Sequence, residues 1–264
     1  MKKLVCDGNT ICYVDQGQGE PIVLLHGFTG SSAYWEHVVP LLASQYRCIV
    51  PDLRGHGRTD APVGTYTIEQ MADDVLKLLD ELKLEKVTLF GHSLGGYITL
   101  SFAQRYAHRL NGFSLIHSTG YPDSEEAKDK RLKAVSTIQS EGITSFIDNL
   151  VPGLFAPDQA EAHPELVARV KEIGYQTPPQ GAVGASLAMR ERSDRRDVIS
   201  ASTLPILLVA GEHDPILPQE RTFTTDHSNV TQAVIAGAGH MSMYEQPEQL
   251  AETLLTYLKK VHQQ

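Results

Sequence analysis

Val87-Thr88-Leu89-Phe90-Gly91-His92-Ser93-Leu94-Gly95-Gly96 carries a short apolar run into a serine framed by glycines. The run through Phe90 has the length and composition of a strand buried on both faces. From Leu94 to Tyr106 apolar residues recur at helical spacing, which places Ser93 in a tight strand-to-helix turn. A nucleophile held in such a turn needs small residues two positions before and two after it, where side chains would otherwise collide. Gly91 and Gly95 meet that need, and Gly96 lets the helix approach the sheet. The helix N-terminus also directs free amides and partial positive charge at the site. A serine acting only as a helix cap would leave the paired glycines unexplained.

Outward from this turn, short strands are predicted around Lys3–Cys6 and Thr10–Asp15, joined across Asp7-Gly8-Asn9. Cys6 and Cys12 flank that hairpin, which allows a cross-strand contact, although separate small buried thiols in strands are the favoured reading. Pro21–Leu25, Arg47–Val50, Phe113–Ile116, Pro205–Val209 and Val230–Ile235 repeat the buried-strand pattern. Thr67-x-x-Gln70 is a capping box opening a helix with Ile68, Met71, Val75, Leu78, Leu79 and Leu82 on one stripe. A last helix begins at Pro247 and carries Leu250, Leu254, Leu255, Leu258 and Val261. Strands alternating with helices predict an α/β fold with a mostly parallel sheet covered on both faces. Residues 121–196 break the rhythm with charges and Pro or Gly interruptions, and predict helices at Glu125–Ser140, Ile143–Leu150, Pro164–Ile173 and Gln180–Glu191. The expected division is a core of residues 1–120 and 197–264 with a helical insertion of residues 121–196. The insertion would act as a lid over the carboxyl ends of the strands, where open α/β sheets place their sites.

A serine hydroxyl needs a base. His240 follows the strand Val230–Ile235 and the loop Ala236-Gly237-Ala238-Gly239, which puts an imidazole at the sheet edge. His108, His163, His227 and His262 lie in polar segments and receive no role. Asp214, in Gly211-Glu212-His213-Asp214-Pro215 after the strand ending at Val209, can accept the second ring N–H of His240 and fix its tautomer. Aspartate before proline is also a common turn device, and Glu212 is the rival acid. The oxyanion that forms during attack needs preorganised donors. The backbone N–H of Leu94 is one, and the N–H of Phe28 in His26-Gly27-Phe28-Thr29-Gly30 is the other. His26 is expected to brace that loop by hydrogen bonds. Phe28, Trp35, Tyr97, Tyr121 and Met241 are candidate pocket residues by their nearness to these motifs.

The chain has 264 residues and a net charge of −9, from 23 basic against 32 acidic side chains. That balance argues against a nucleic-acid partner. The basic group Arg190, Arg192, Arg195 and Arg196 is interleaved with Glu191, Asp194 and Asp197 and is expected to form a solvated helix face. No other arginine is placed by the sequence to demand an anionic substrate. Cysteine and histidine spacing suggests neither a disulfide framework nor a metal site. The sequence offers no long apolar run, either as a signal peptide or as a membrane span, so a soluble cytoplasmic protein with a small-molecule substrate is expected.

Leu25-His26-Gly27-Phe28, Asp52-Leu53-Arg54-Gly55-His56-Gly57, Gly91 to Gly96, Gly211 to Pro215 and Gly239-His240 together resemble the α/β-hydrolase superfamily. The likeness spans essentially the whole chain outside the insertion. It implies an eight-stranded sheet with a helical cap, nucleophilic acyl chemistry without a cofactor, and a triad in the chain order Ser93, Asp214, His240. Asp52, Arg54, Gly55 and Gly57 take structural roles by the same resemblance. HGFTGSSAYW, residues 26–35, is similar to the menaquinone-pathway lyase of this fold. That branch places an arginine after its second glycine, where this chain has Tyr97. Carboxylesterase, enol-lactonase, C–C hydrolase and cofactor-free haloperoxidase activities stay open, as does a ligand sensor with an intact triad. The simplest expectation is a serine hydrolase of a small, fairly apolar carboxylic ester.

Overall fold

The computed structural model describes residues 1–6 and 8–263, with the side chain of Cys6 outside the description. Asp7 of the anticipated hairpin turn therefore lies outside the described residues. The strands on either side of it are β1 (Lys2–Cys6) and β2 (Asn9–Gln16). They pair antiparallel in a register that sets Cys12 opposite Lys3 and Cys6 opposite Asn9. The two cysteines are thus not cross-strand partners.

Five parallel crossings follow from apolar runs that alternate with helices. The remaining strands are β3 (Pro21–Leu25), β4 (Arg47–Pro51), β5 (Val87–His92), β6 (Leu110–Ile116), β7 (Ile206–Gly211) and β8 (Val230–Ile235). The sheet order is β1-β2-β4-β3-β5-β6-β7-β8, with only the β1–β2 and β2–β4 pairs antiparallel. Between the strands run α1 (Val39–Leu42), α2 (Ile68–Glu81), α3 (Leu94–Tyr106), α4 (Glu125–Leu150), α5 (Pro157–Ala162), α6 (Pro164–Tyr175), α7 (Pro179–Arg190), α8 (Arg196–Ala201) and α9 (Gln219–Thr222). The chain ends through α10 (Ser242–Glu245) and α11 (Pro247–Val261). The Thr67 capping box is formed, its hydroxyl accepting from Gln70 N at 3.0 Å while Gln70 Oε1 accepts from Thr67 N at 3.1 Å.

Period-two alternation explains why the interior strands are apolar throughout. Ile22 and Leu24 of β3 join Phe90 and Val209 on one face, packed with Leu250, Leu254 and Leu258 of α11. Val23 and Leu25 join Leu89 and Leu208 on the other, packed with Met71, Val75 and Leu78 of α2 and Ile98 and Phe102 of α3. β8 departs from the anticipated pattern. It is an edge strand, with Val234 41% exposed and Ile235 buried.

All of α4 to α8 lies between β6 and β7. α4 breaks at Gly142, whose φ of 88° and ψ of 169° separate the two helices that the sequence foretells there. α7 rests on the Gly55 loop: a Cβ on Gly181 would fall 1.9 Å from the Gly55 carbonyl oxygen. Arg169 of α6 grips Glu36 of the core through two bonds of 2.8 Å. No helix among the described residues is long and apolar enough to cross a membrane.

Candidate active site

Ser93 ends the turn between β5 and α3 with φ 51° and ψ −112°. A non-glycine residue in this region stores roughly 1–3 kcal/mol, which its surroundings must hold. Ser93 N donates to Ile116 O at 2.9 Å, and Ser118 Oγ donates to Ser93 O at 2.7 Å. The flanking glycines are required by space as well as strain. A Cβ on Gly91 would sit 2.3 Å from Gly95 O, and one on Gly95 would sit 2.6 Å from Leu25 O.

Asp214, in the turn after β7, is almost fully buried, and both of its oxygens are used. Oδ1 accepts from the Ile216 and Leu217 amides at 2.8 and 3.0 Å. Oδ2 accepts from His240 Nδ1 at 2.9 Å and from His117 Nδ1 at 3.1 Å. Burial opposes ionisation of Asp214, but the two imidazoles, His240 foremost, outweigh it and hold the carboxyl well below the usual carboxylate range. With Nδ1 committed to Asp214, His240 Nε2 has no protein partner among the described residues, and His240 and Ser93 line the same cavity. Glu212 instead accepts from the Gly237 amide at 2.9 Å, on the surface.

His117 is a member of this group that the sequence reading passed over. It follows β6 with φ 48°. Its Nδ1–H donates to Asp214, so Nε2 is an acceptor, 2.7 Å from Ser242 Oγ. Burial holds its pKa below the ordinary histidine value, against the pull of Asp214. His117 is therefore a neutral brace on the acid. The sequence carries one signal for it: the apolar runs of β3, β5 and β6 each close on a histidine, His26, His92 or His117. His26 spans the loop after β3, its Nδ1 donating to Gly27 O at 2.8 Å and its Nε2 accepting from Leu53 N at 2.9 Å. His92 Nε2 donates to His240 O at 2.9 Å.

Glu245 was also unanticipated. Its buried carboxylate accepts from the amides of Gly239 (2.9 Å), Met241 (3.0 Å) and Ala156 (2.7 Å). The His240 amide in turn donates to Leu154 O at 2.8 Å. The loop carrying the imidazole is thus held through Glu245 and tied to the segment between β6 and β7. Asp52 holds its own loop in the same manner, taking the Ser32 amide at 2.7 Å and the Arg58 amide at 2.9 Å.

Among the described residues, neither the Phe28 nor the Leu94 amide donates to a protein acceptor. Phe28, Tyr97 and Met241 line a cavity of about 570 Å³ with Ser93 and His240. Trp35 does not: it is wholly buried in the core. Tyr121 is also off that wall, its ring covered by the guanidiniums of Arg196 and Arg221.

The arginine group corrects the expectation of a solvated helix face. Arg190 and Arg196 do pair at the surface, with Glu191 and Asp194. Arg192 and Arg195 are buried, Arg195 against Glu69 and Arg192 against Asp123 at 2.5 Å. Arg131 and Arg221, outside the group, also reach the cavity wall.

His117, Asp214 and His240 bring enough ligating atoms together to hold a metal ion. The hydrogen bonds from both Nδ1 atoms to Oδ2 and from Ser242 to His117 Nε2 account for the same atoms as a proton network.

The profile of the α/β hydrolase fold family matches residues 20–247. This chain belongs to that family. A thermophilic esterase from Thermogutta terrifontis, solved with malate bound, superposes on this α/β-hydrolase with a TM-score of 0.94 at 33% identity, covering 99% of this chain and 100% of that one. The 3-oxoadipate enol-lactonase 1 of Acinetobacter baylyi is 26% identical over 92% of this α/β-hydrolase and 91% of its own length. A putative 2-succinyl-6-hydroxy-2,4-cyclohexadiene-1-carboxylate synthase of Bacillus subtilis is 29% identical over 97% of each chain.

Proposed function

We propose that this α/β-hydrolase cleaves small carboxylic esters with Ser93 as nucleophile, His240 as base and Asp214 as the acid that orients it. One observation carries the proposal: a serine in a strained turn shares a cavity with an imidazole whose far nitrogen is pinned by a carboxylate that four donors saturate. Ser93 Oγ attacks the ester carbonyl while His240 Nε2 takes its proton, and the Phe28 and Leu94 amides receive the oxyanion. His240 returns the proton to the leaving alcohol. Water, deprotonated by the same imidazole, then attacks the acyl-serine and releases the acid. The insertion acts as a cap that excludes bulk water and shapes the pocket. A lactone is a cyclic ester and enters the same sequence of steps, which agrees with the enol-lactonase relative. A cytoplasmic setting accords with the free, buried thiols of Cys12 and Cys48.

Labelling by a fluorophosphonate, followed by multiple-turnover kinetics on short esters, tests the proposal. The wild type is expected to be labelled once and to turn over repeatedly. Ser93→Ala is expected to lose the label and about 10⁶ of kcat, and His240→Ala a comparable factor. Labelling that survives Ser93→Ala, or a His240→Ala enzyme retaining a tenth of the rate, overturns the assignment. A single stoichiometric burst without turnover replaces the enzyme with a sensor.

A further inference from the structure

The chain is acidic overall, with 23 basic against 32 acidic side chains, yet its catalytic cavity is cationic. Lys130, Arg131, Arg192 and Arg221 line it, against the single carboxylate of Asp123 among the described residues. Arg192 is committed to structure. Its guanidinium lies 4.0 Å over the Tyr97 ring, pairs with Asp123 at 2.5 Å, and donates to Met189 O at 2.9 Å and Tyr121 O at 3.1 Å. Asp123 must also serve Arg131, which reaches it through Nε alone at 3.1 Å. One carboxylate therefore faces two guanidiniums, and both terminal nitrogens of Arg131 lack a protein acceptor among the described residues. Lys130 spends its charge on the exposed Glu126. Arg221 packs on the Tyr121 ring at 4.6 Å and has no carboxylate partner among the described residues.

Unbalanced positive charge on a partly enclosed wall raises the local concentration of anions. A guanidinium with two free terminal nitrogens matches a carboxylate in fork geometry. Tyr97, beneath Arg192, stands one helical turn beyond Ser93, a rise of about 6 Å along the axis. Resting on the hydrolytic function proposed above, we infer that the substrate is an anionic ester or lactone. Its carbonyl lies at Ser93, and a second, free carboxylate is held by Arg131 and Arg221 on the wall of the same cavity. The expectation of a fairly apolar ester then fits only the part of the wall formed by Phe28, Leu154 and Met241.

The test compares monoethyl glutarate with its uncharged counterpart of equal acyl length, ethyl pentanoate, by pH-stat titration at low salt. The wild type should favour the anion in kcat/KM by tenfold or more, the preference shrinking toward 1 M salt. Arg131→Gln and Arg221→Gln should each cut the ratio about tenfold, the loss of one charge-assisted contact. Lys133→Gln, on the exposed side of α4, removes one charge as a control and should leave the ratio unchanged. Equal handling of the two esters, or a ratio indifferent to both arginine substitutions, overturns the inference. If neither ester turns over, glutarate is tested as a brake on fluorophosphonate labelling of Ser93. Slower labelling supports the anion site and unchanged labelling refutes it. A Ser93 that never labels sinks the hydrolytic function instead.

Discussion

Two buried carboxylates, Asp214 at the sheet edge and Asp123 on the cavity wall between β6 and β7, keep opposite electrical company. Asp214 meets two imidazoles and two backbone amides, all able to donate without bringing a fixed charge. Asp123 meets the guanidiniums of Arg131 and Arg192, cationic donors of fixed fork geometry. The donors at the sheet edge are imidazoles and amides, and those around Asp123 are guanidiniums. On the proposed function, the proton-handling groups gather at the sheet edge, while the guanidiniums on the cavity wall come both from the segment between β6 and β7 and, with Arg221, from the stretch after β7.

The contrast can be broken most severely at Asp214. Asp214→Asn turns a pure acceptor into an amide facing four donors, and kcat should fall by about 10⁴ while the arginine-lined wall is untouched. A loss below tenfold would mean that His240 does not depend on this carboxylate. Next in size is a pH effect confined to the sheet side. Burial pushes the histidines His26, His92 and His117 below their ordinary value and His56 down to about 4. A histidine depressed in the fold protonates first in the unfolded chain. Stability is therefore complete above the unfolded pKa, near 6.5, and is lost as pH falls toward the folded value, by up to about 1.4 kcal/mol per pH unit for each such residue. Thermal melts should be flat above pH 7 and fall steeply from pH 6.5 to 4.5. His56→Gln should flatten that slope, and an unchanged slope would count against the neutral state of His56.

His117→Ala removes one charge-assisted donor from Asp214. That loss, about 1.5–3 kcal/mol, corresponds to a fall of roughly 10- to 100-fold in kcat with KM little changed. His117→Asn, whose amide nitrogen falls near the place of Nδ1, should recover part of the loss. A rise in KM alone would assign His117 to substrate binding. The smallest effect lies on the insertion side. Arg169→Gln breaks a half-exposed pair with Glu36, worth about 1 kcal/mol or less. Tm should move by no more than about 4 °C, and a larger shift would show that the insertion is held chiefly by this pair.

The same division decided what the sequence could disclose. Ser93, His240 and Asp214 each follow an apolar strand and sit among glycine and turn residues, so their placement at one sheet edge follows from local pattern. The Gly142 break in α4 and the Thr67 cap were equally readable. His117 escaped because its partners lie 97 and 125 residues away, and only the recurrence of histidine at strand ends hints at it. The arginines misled for a different reason. Alternating charges near residue 192 look like a wetted surface, and only tertiary packing buries two of them, Arg192 over Tyr97 and Arg195 against Glu69 and Gln104. Trp35 and Tyr121 show the same limit: nearness along the chain to a motif did not become nearness to the cavity.

The seam at Leu154, Ala156, Gly239 and Glu245 ties the imidazole's own backbone to the insertion. On the proposed cap role, trading residues 121–196 for the corresponding stretch of another family member would therefore exchange more than part of the pocket wall. The graft would also disturb the backbone that holds His240, so residues 154–156 should stay native, with the joins made on either side of them.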